Sequence, residues 1–171
     1  MNHGSRTLIG ITTATLLAMA AIPATSATGA ADAGPRTGTG APLTWGPYYS
    51  PGAKHARALG TITATGEDRE VIPSAATLTV SGKVSDLARS SRTCGWAVFG
   101  IATVNAAGTR VTWKRHHVRS CTYRTPKTFS FTYHRVYQVE LKVCAEGRAA
   151  KPSIQCTAGN PAWKTLYISP H

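Results

Sequence analysis

From residue 56 onward the chain alternates apolar and polar positions with the period of two that marks half-buried strands. "ATLTVSGKVSDL" places Leu78, Val80 and Val84 on one face, and "KTFSFTY" does the same with Phe129, Phe131 and Tyr133. In "VYQVELKVCAEG" the alternation predicts Tyr137, Val139, Leu141 and Val143 on one face, with Gln138, Glu140 and Lys142 on the polar side. "CGWAVFGIATVN" is apolar on both faces, the pattern of a central strand covered on each side. "TRVTWKRHHVRSC" reads as its hairpin partner across the turn "NAAGTR". "ARALGTITATG", "SIQC" and "AWKTLYIS" complete the strands, and "LTWGPYYSPG" reads as ordered loop or edge strand. No stretch combines helical periodicity with caps. Seven or eight short strands over residues 43–171 predict an all-β sandwich as a single domain.

The residues before this domain follow a different pattern. A short polar start with one cation, Arg6, leads into the charge-free apolar run "TLIGITTATLLAMAAI", then Pro23 and a series of small residues. That order predicts a secretory signal peptide over residues 1–27, cut after Ala27, with Ala30, Ala31 and Ala33 as alternative sites. The apolar run is short for a membrane span, and no second one follows, so the mature protein is expected to carry no integral membrane anchor. Residues 28–42, "TGAADAGPRTGTGAP", offer little to bury and are read as a disordered linker.

An exported chain with four cysteines is expected to hold two disulfides, and four cysteines allow three pairings. The midpoint between Cys94 and Cys121 falls at Ala107–Gly108, inside the "NAAGTR" turn. Folding the chain back there puts the two cysteines opposite each other, within disulfide reach. The midpoint between Cys144 and Cys156 is Ala150, in "EGRAAKPS" with its turn residues Gly147 and Pro152. The favoured pairing is therefore Cys94–Cys121 and Cys144–Cys156. The same register places Trp96 opposite Arg119, Val98 opposite His117 and Ala102 opposite Trp113. No C-x-x-C or zinc-type spacing occurs.

Two resemblances accompany this reading. "TFSFTYHRVYQVELKVCAEG" and "WKTLYIS" are similar to the last three strands of an immunoglobulin or fibronectin III domain, on the pattern "YxVxLxVC". The segment "TWGPYYSPG … CGWAVFGI … TFSFTYHRVYQVELKVCAEG … WKTLYIS" resembles small secreted proteins of streptomycetes and related actinobacteria. That second resemblance implies secretion and a compact, cysteine-bearing domain; it carries no site residue across.

Charge changes the picture more than composition does. The net charge is +12, and no Asp or Glu lies between Leu87 and Val139, where Arg89, Arg92, Arg110, Lys114, Arg115, Arg119, Arg124, Lys127 and Arg135 fall. Four of the seven acids are gathered at Glu67, Asp68, Glu70 and Asp86. A directional excess of this kind favours a polyanionic partner, nucleic acid or a cell-wall polyanion. Trp113, Lys114, Arg115, His117 and Arg119 are the candidate contacts: cations for the charged groups and an indole to stack a ring. Arg119 over Trp96 is also expected as a cation–π pair with a purely structural role.

The same stretch and its neighbours offer residues for other chemistries. His116 and His117 point to opposite faces of a strand and are badly placed to hold one metal ion. A small secreted nuclease or other hydrolase would draw on His116, His117, His134 and Glu140, with arginine holding a phosphate in the nuclease, but no catalytic motif supports it. A protease inhibitor would present Arg148 or Lys151 from the loop between Cys144 and Cys156. Trp45, Tyr48 and Tyr49 suggest sugar stacking, although aromatics beside prolines more often cover a core. Glu67, Asp68 and Glu70 lack calcium-loop spacing and read as an acidic turn. The expected protein is a secreted, monomeric, non-catalytic binding module that needs no cofactor.

Overall fold

The computed structural model describes residues 40–158 and 163–170, so the expected signal peptide, and the expected linker as far as residue 39, lie outside the described residues. The strands are β1 (Leu43–Tyr49), β2 (Ala56–Glu67), β3 (Ala75–Asp86), β4 (Thr93–Val104), β5 (Val111–Ser120), β6 (Lys127–Gly147) and β7 (Lys164–Ile168), with one helical turn, α1 (Ile154–Ala158), before β7. They form an antiparallel, all-β, sandwich-like fold in the order β1-β2-β3-β6-β4-β5, with β7 also on β6. Strand β6 pairs β3 over Lys127–Val136 and β4 over Val136–Gly147, so it belongs to two leaves of one continuous sheet. Among the described residues no helix is long and apolar enough to cross a membrane.

Two expected strands, "KTFSFTY" and "VYQVELKVCAEG", are therefore one. The alternation is interrupted between them. Arg135 takes a positive φ of 51°, and the pairing with β4 jumps from Gln138 to Val136, skipping Tyr137. Inward positions run Phe129, Phe131, Tyr133, then Val136, then Val139, Leu141 and Val143. Tyr137, expected beside Val139, is outside that core, because two steps of three residues, Tyr133 to Val136 and Val136 to Val139, replace the alternation there before the odd-numbered positions turn inward again.

The main core gathers side chains from all seven strands. Trp45 bridges the leaves: it meets Phe99 of β4 edge-on at 6.0 Å and stacks on Phe129 of β6 at 6.4 Å. It was a candidate sugar-stacking residue, but at 7% exposure it is core. The indole fits because Gly60 and Gly82, directly paired across β2 and β3, leave room beneath it. On the outer face of this leaf, Thr79 and Thr132, and Ser81 and Ser130, share hydroxyl hydrogen bonds of 2.9 and 2.8 Å.

Both disulfides form with the favoured pairing, at Cα separations of 4.2 Å for Cys94–Cys121 and 5.8 Å for Cys144–Cys156. Each restricts the unfolded chain by about 3 kcal/mol on loop-closure arguments. The β4–β5 turn is held by Asn105, whose Oδ1 accepts from Thr109 N and Arg110 N. The second pair arises differently from expectation. "SIQC" is not a strand: Ser153 caps α1, its Oγ accepting from Cys156 N, and Glu146 fixes Ser153 through both carboxylate oxygens.

A methyl group at position 82 would lie 2.5 Å from Leu59 O and 3.0 Å from Trp45 Cζ2. Gly82→Ala is expected to cost about 1–3 kcal/mol as overpacking. Urea unfolding should show a lower midpoint at an unchanged m-value; an unmoved midpoint would mean that Trp45 does not need this space.

Candidate functional site

On the outer face of the second leaf, Trp113, Arg115, His117 and Arg119 of β5 stand opposite Ala102, Gly100, Val98 and Trp96 of β4. The register inferred from the cysteines is the observed one. Those β4 residues stand in turn opposite Gln138, Glu140, Lys142 and Cys144 of β6. Lys114 and His116 face the other way: Lys114 Nζ lies 6.0 Å over Tyr133, and His116 stacks on Phe131 at 3.9 Å.

The row of cations is built into the fold. Cys94, Trp96, Val98, Cys144 and Cys156 make a second, smaller core on this outer face, with Cys121 and Trp163 packed against it. The segment after β6 is tied to the row by two arginines. Arg119 Nη1 donates to Ala149 O while its guanidinium sits 5.4 Å over Trp96, the stack expected for it. Arg115 Nη1 donates to Thr157 O at 3.0 Å, and its guanidinium sits 5.2 Å over Trp163. His117 lies between them, tilted against Trp96 at 5.8 Å.

Lys142 was expected on a solvated polar face, and the structure corrects this. It is 2% exposed, with its ammonium 5.2 Å over the Trp163 ring. Loss of hydration holds its pKa below the usual lysine range; the charge of Arg115 adds to this and Glu140 opposes it. Strand alternation reads 142 correctly as facing away from the main core, but it says nothing about a cap arriving from Trp163, more than twenty residues on.

Gly100, Trp113, Lys114, Arg115, Glu140 and Trp163 line a depression of about 160 Å³ in this face. Gly100 is its floor: a Cβ there would lie 3.3 Å from Trp113 Cζ3 and 3.7 Å from Trp163 Cζ3. Trp163 is engaged by two cations, whereas Trp113 is 52% exposed. Glu140 Oε1 accepts from Gln138 Nε2 at 3.1 Å. Neither Gly100 nor Trp163 was singled out as a site residue from sequence; the signal for Gly100 was a glycine opposite a basic strand, and Trp163 gave none. A second depression, of about 260 Å³, lies between Tyr48 and Tyr49 of β1 and Leu141–Val143 of β6.

The remaining candidates are dispersed. His116 and His117 lie on opposite faces, and His134 Nδ1 contacts Thr77 Oγ1 and Ala76 O on the first leaf. Glu140 is two strands from His117, about 10 Å by inter-strand spacing. No group of three or more His, Cys, Asp or Glu side chains that could hold a metal is found among the described residues. Asp68 accepts from Ser74 N and Ser74 Oγ, closing the β2–β3 loop. Glu67 Oε1 accepts at 2.8 Å from the hydroxyl of Tyr167, whose buried phenol is pushed well above its usual pKa. Arg148 and Lys151 are exposed, but Arg148 N donates to Arg92 O, and a proline follows Lys151. The backbone donor that a protease would pair with at Arg148 is thus already used. No protein-family model, curated protein or solved structure matches the chain.

Burial against Phe131, and after it the charge of His117, hold the His116 imidazole below its ordinary pKa of 6.5. The charged or titratable groups around it are Lys114 and His117 on β5 and Tyr133 on β6. The unfolded chain takes up this proton first, so His116 supports the fold above pH 6.5 and loses that contribution as pH falls from 6.5 through the lowered folded value. Urea midpoints are expected to fall between about pH 7 and pH 5. His116→Phe should keep the stack and reduce that fall; an equal acid loss in both proteins would assign the slope to another group.

Proposed function

We propose that the protein is an exported, disulfide-stabilised, monomeric binding module that contacts anionic polymers through the outer face of β5 and acts without catalysis. The observation that carries this reading is the row Trp113, Arg115, His117 and Arg119 on a strand at the end of the sheet order. Alternate residues recur about every 7 Å along a strand, so the row spans about 20 Å. No carboxylate is contributed by any residue between Leu87 and Val139, which includes all of β4 and β5. Arg115 and Arg119 are each held by a carbonyl and an aromatic ring. A guanidinium carries five donors in a rigid fork, so one tethered N–H orients the others while leaving them to meet an anion. Preorganisation of this kind lowers the ordering cost of binding. The basic, apolar and small-residue order of residues 1–27 and the two disulfides support export.

Retention on immobilised heparin is expected, with elution that moves steeply with salt because bound counterions are released. His117→Glu puts a carboxylate in the middle of the row and leaves both arginine tethers in place. It should weaken binding about tenfold through like-charge repulsion with the polymer. Passage of the native protein in low-salt buffer, or unchanged elution of His117→Glu, would remove the basis for this reading.

A further inference from the structure

The cation row ends in a feature that charge alone does not require. Trp113 is half-exposed at the rim of the depression floored by Gly100. Among the described residues it makes no ring or cation contact, while the neighbouring Trp163 is held between Arg115 and Lys142. A large exposed indole surrounded by charged groups is the informative exception on a protein surface. Beside it the depression presents an acceptor, Glu140, whose Oε1 is oriented by Gln138. A carboxylate at that point repels the phosphate of a nucleotide and accepts hydrogen bonds from hydroxyl groups.

We infer that this depression is a subsite for one sugar ring of an anionic polysaccharide. The ring's apolar face lies on Trp113, its hydroxyls donate to Glu140, and acidic groups on the flanking sugars meet Arg115, His117 and Arg119. The inference rests on the polyanion reading and narrows it to one polymer class. Charge complementarity fits: Arg115 lines the depression and the Lys142 ammonium lies against the Trp163 ring of its wall, two cations to the single carboxylate of Glu140. Gly100 is what makes the recess. Any side chain there would occupy the floor, in ordinary contact with the Trp163 indole and pressed tightly on that of Trp113.

The test compares four probes on the purified full chain: a heparin oligosaccharide, neutral dextran, inorganic polyphosphate and an oligo-dT strand. The native protein should bind the heparin oligosaccharide more tightly than polyphosphate of equal charge, and show a tryptophan fluorescence change with the sugar polymer alone. Trp113→Ala should lower the ratio of heparin to polyphosphate affinity about tenfold, the scale of one lost ring stack. Gly100→Val should lower the same ratio, and circular dichroism should confirm that both variants keep the fold. Dextran should bind weakly, since it lacks the charges that the row reads. An unchanged ratio in Trp113→Ala overturns the subsite, because the indole then contributes no ring contact. Oligo-dT binding that depends on Trp113 more than heparin binding does also overturns it, in favour of a base. Failure of all three anionic probes to bind overturns the polyanion reading beneath it, which distinguishes the two failures.

Discussion

Strand β6 is the constraint on which the other elements depend. It is the shared member of both leaves, paired with β3 over its first half and with β4 over its second. Phe129, Phe131 and Tyr133 in its first half and Val139, Leu141 and Val143 in its second line one core from the same side of the alternation. The irregularity at Arg135–Gln138, two steps of three residues that cancel, falls where the partner of β6 changes from β3 to β4. Val136 enters the core out of phase with Tyr133, and Val139, Leu141 and Val143 then face inward with Phe99 and Ile101 of β4. Trp45 closes the arrangement by touching Phe129 on the first half of β6 and Phe99 on the strand beside its second half.

Much of this was legible from residue pattern, and the exceptions have physical causes. The two-sided apolarity of "CGWAVFGIATVN" identified a central strand because one of its faces lines the main core and the other the smaller one. The β4–β5 register followed from a single turn and a cysteine pair. The continuity of β6 was hidden because the bulge at Arg135 and Tyr137 carries neither Gly nor Pro, the residues that usually mark a break. The helical turn at Ile154–Ala158 was hidden by its length; its signal was Ser153 after Pro152, a cap with almost no helix behind it. For the site, periodicity placed Arg115, His117 and Arg119 on one face. It was silent on the tethers from Ala149 and Thr157 and on the burial of Lys142, which depend on chain returning from far along the sequence.

The outer face of β5 shows how one residue type serves two purposes. Arg119 and Arg115 hold the segment after β6 through backbone carbonyls and stack on Trp96 and Trp163. Those contacts account for both arginines as structural groups. They also set the guanidinium planes, so the same tethers that keep the cap in place would decide where an anion meets the row. Lysine could donate to one carbonyl but would not fix the direction of further donors, since its ammonium lacks a planar fork.

The smaller core beneath that cap gives the molecule two sealed compartments with unequal depth. The main one is enclosed by seven strands; the other is closed by Cys144–Cys156, Trp163 and two arginine latches. Stability in such a molecule is local, and regions with few apolar contacts open at a lower free energy than the whole. Reduction of Cys144–Cys156 removes one of these closures, and is expected to lower the free energy at which the cap opens over Trp96, Val98 and Lys142 while Phe99 and Leu141 stay dry. The face that carries the cations can thus come apart before the fold that carries the face.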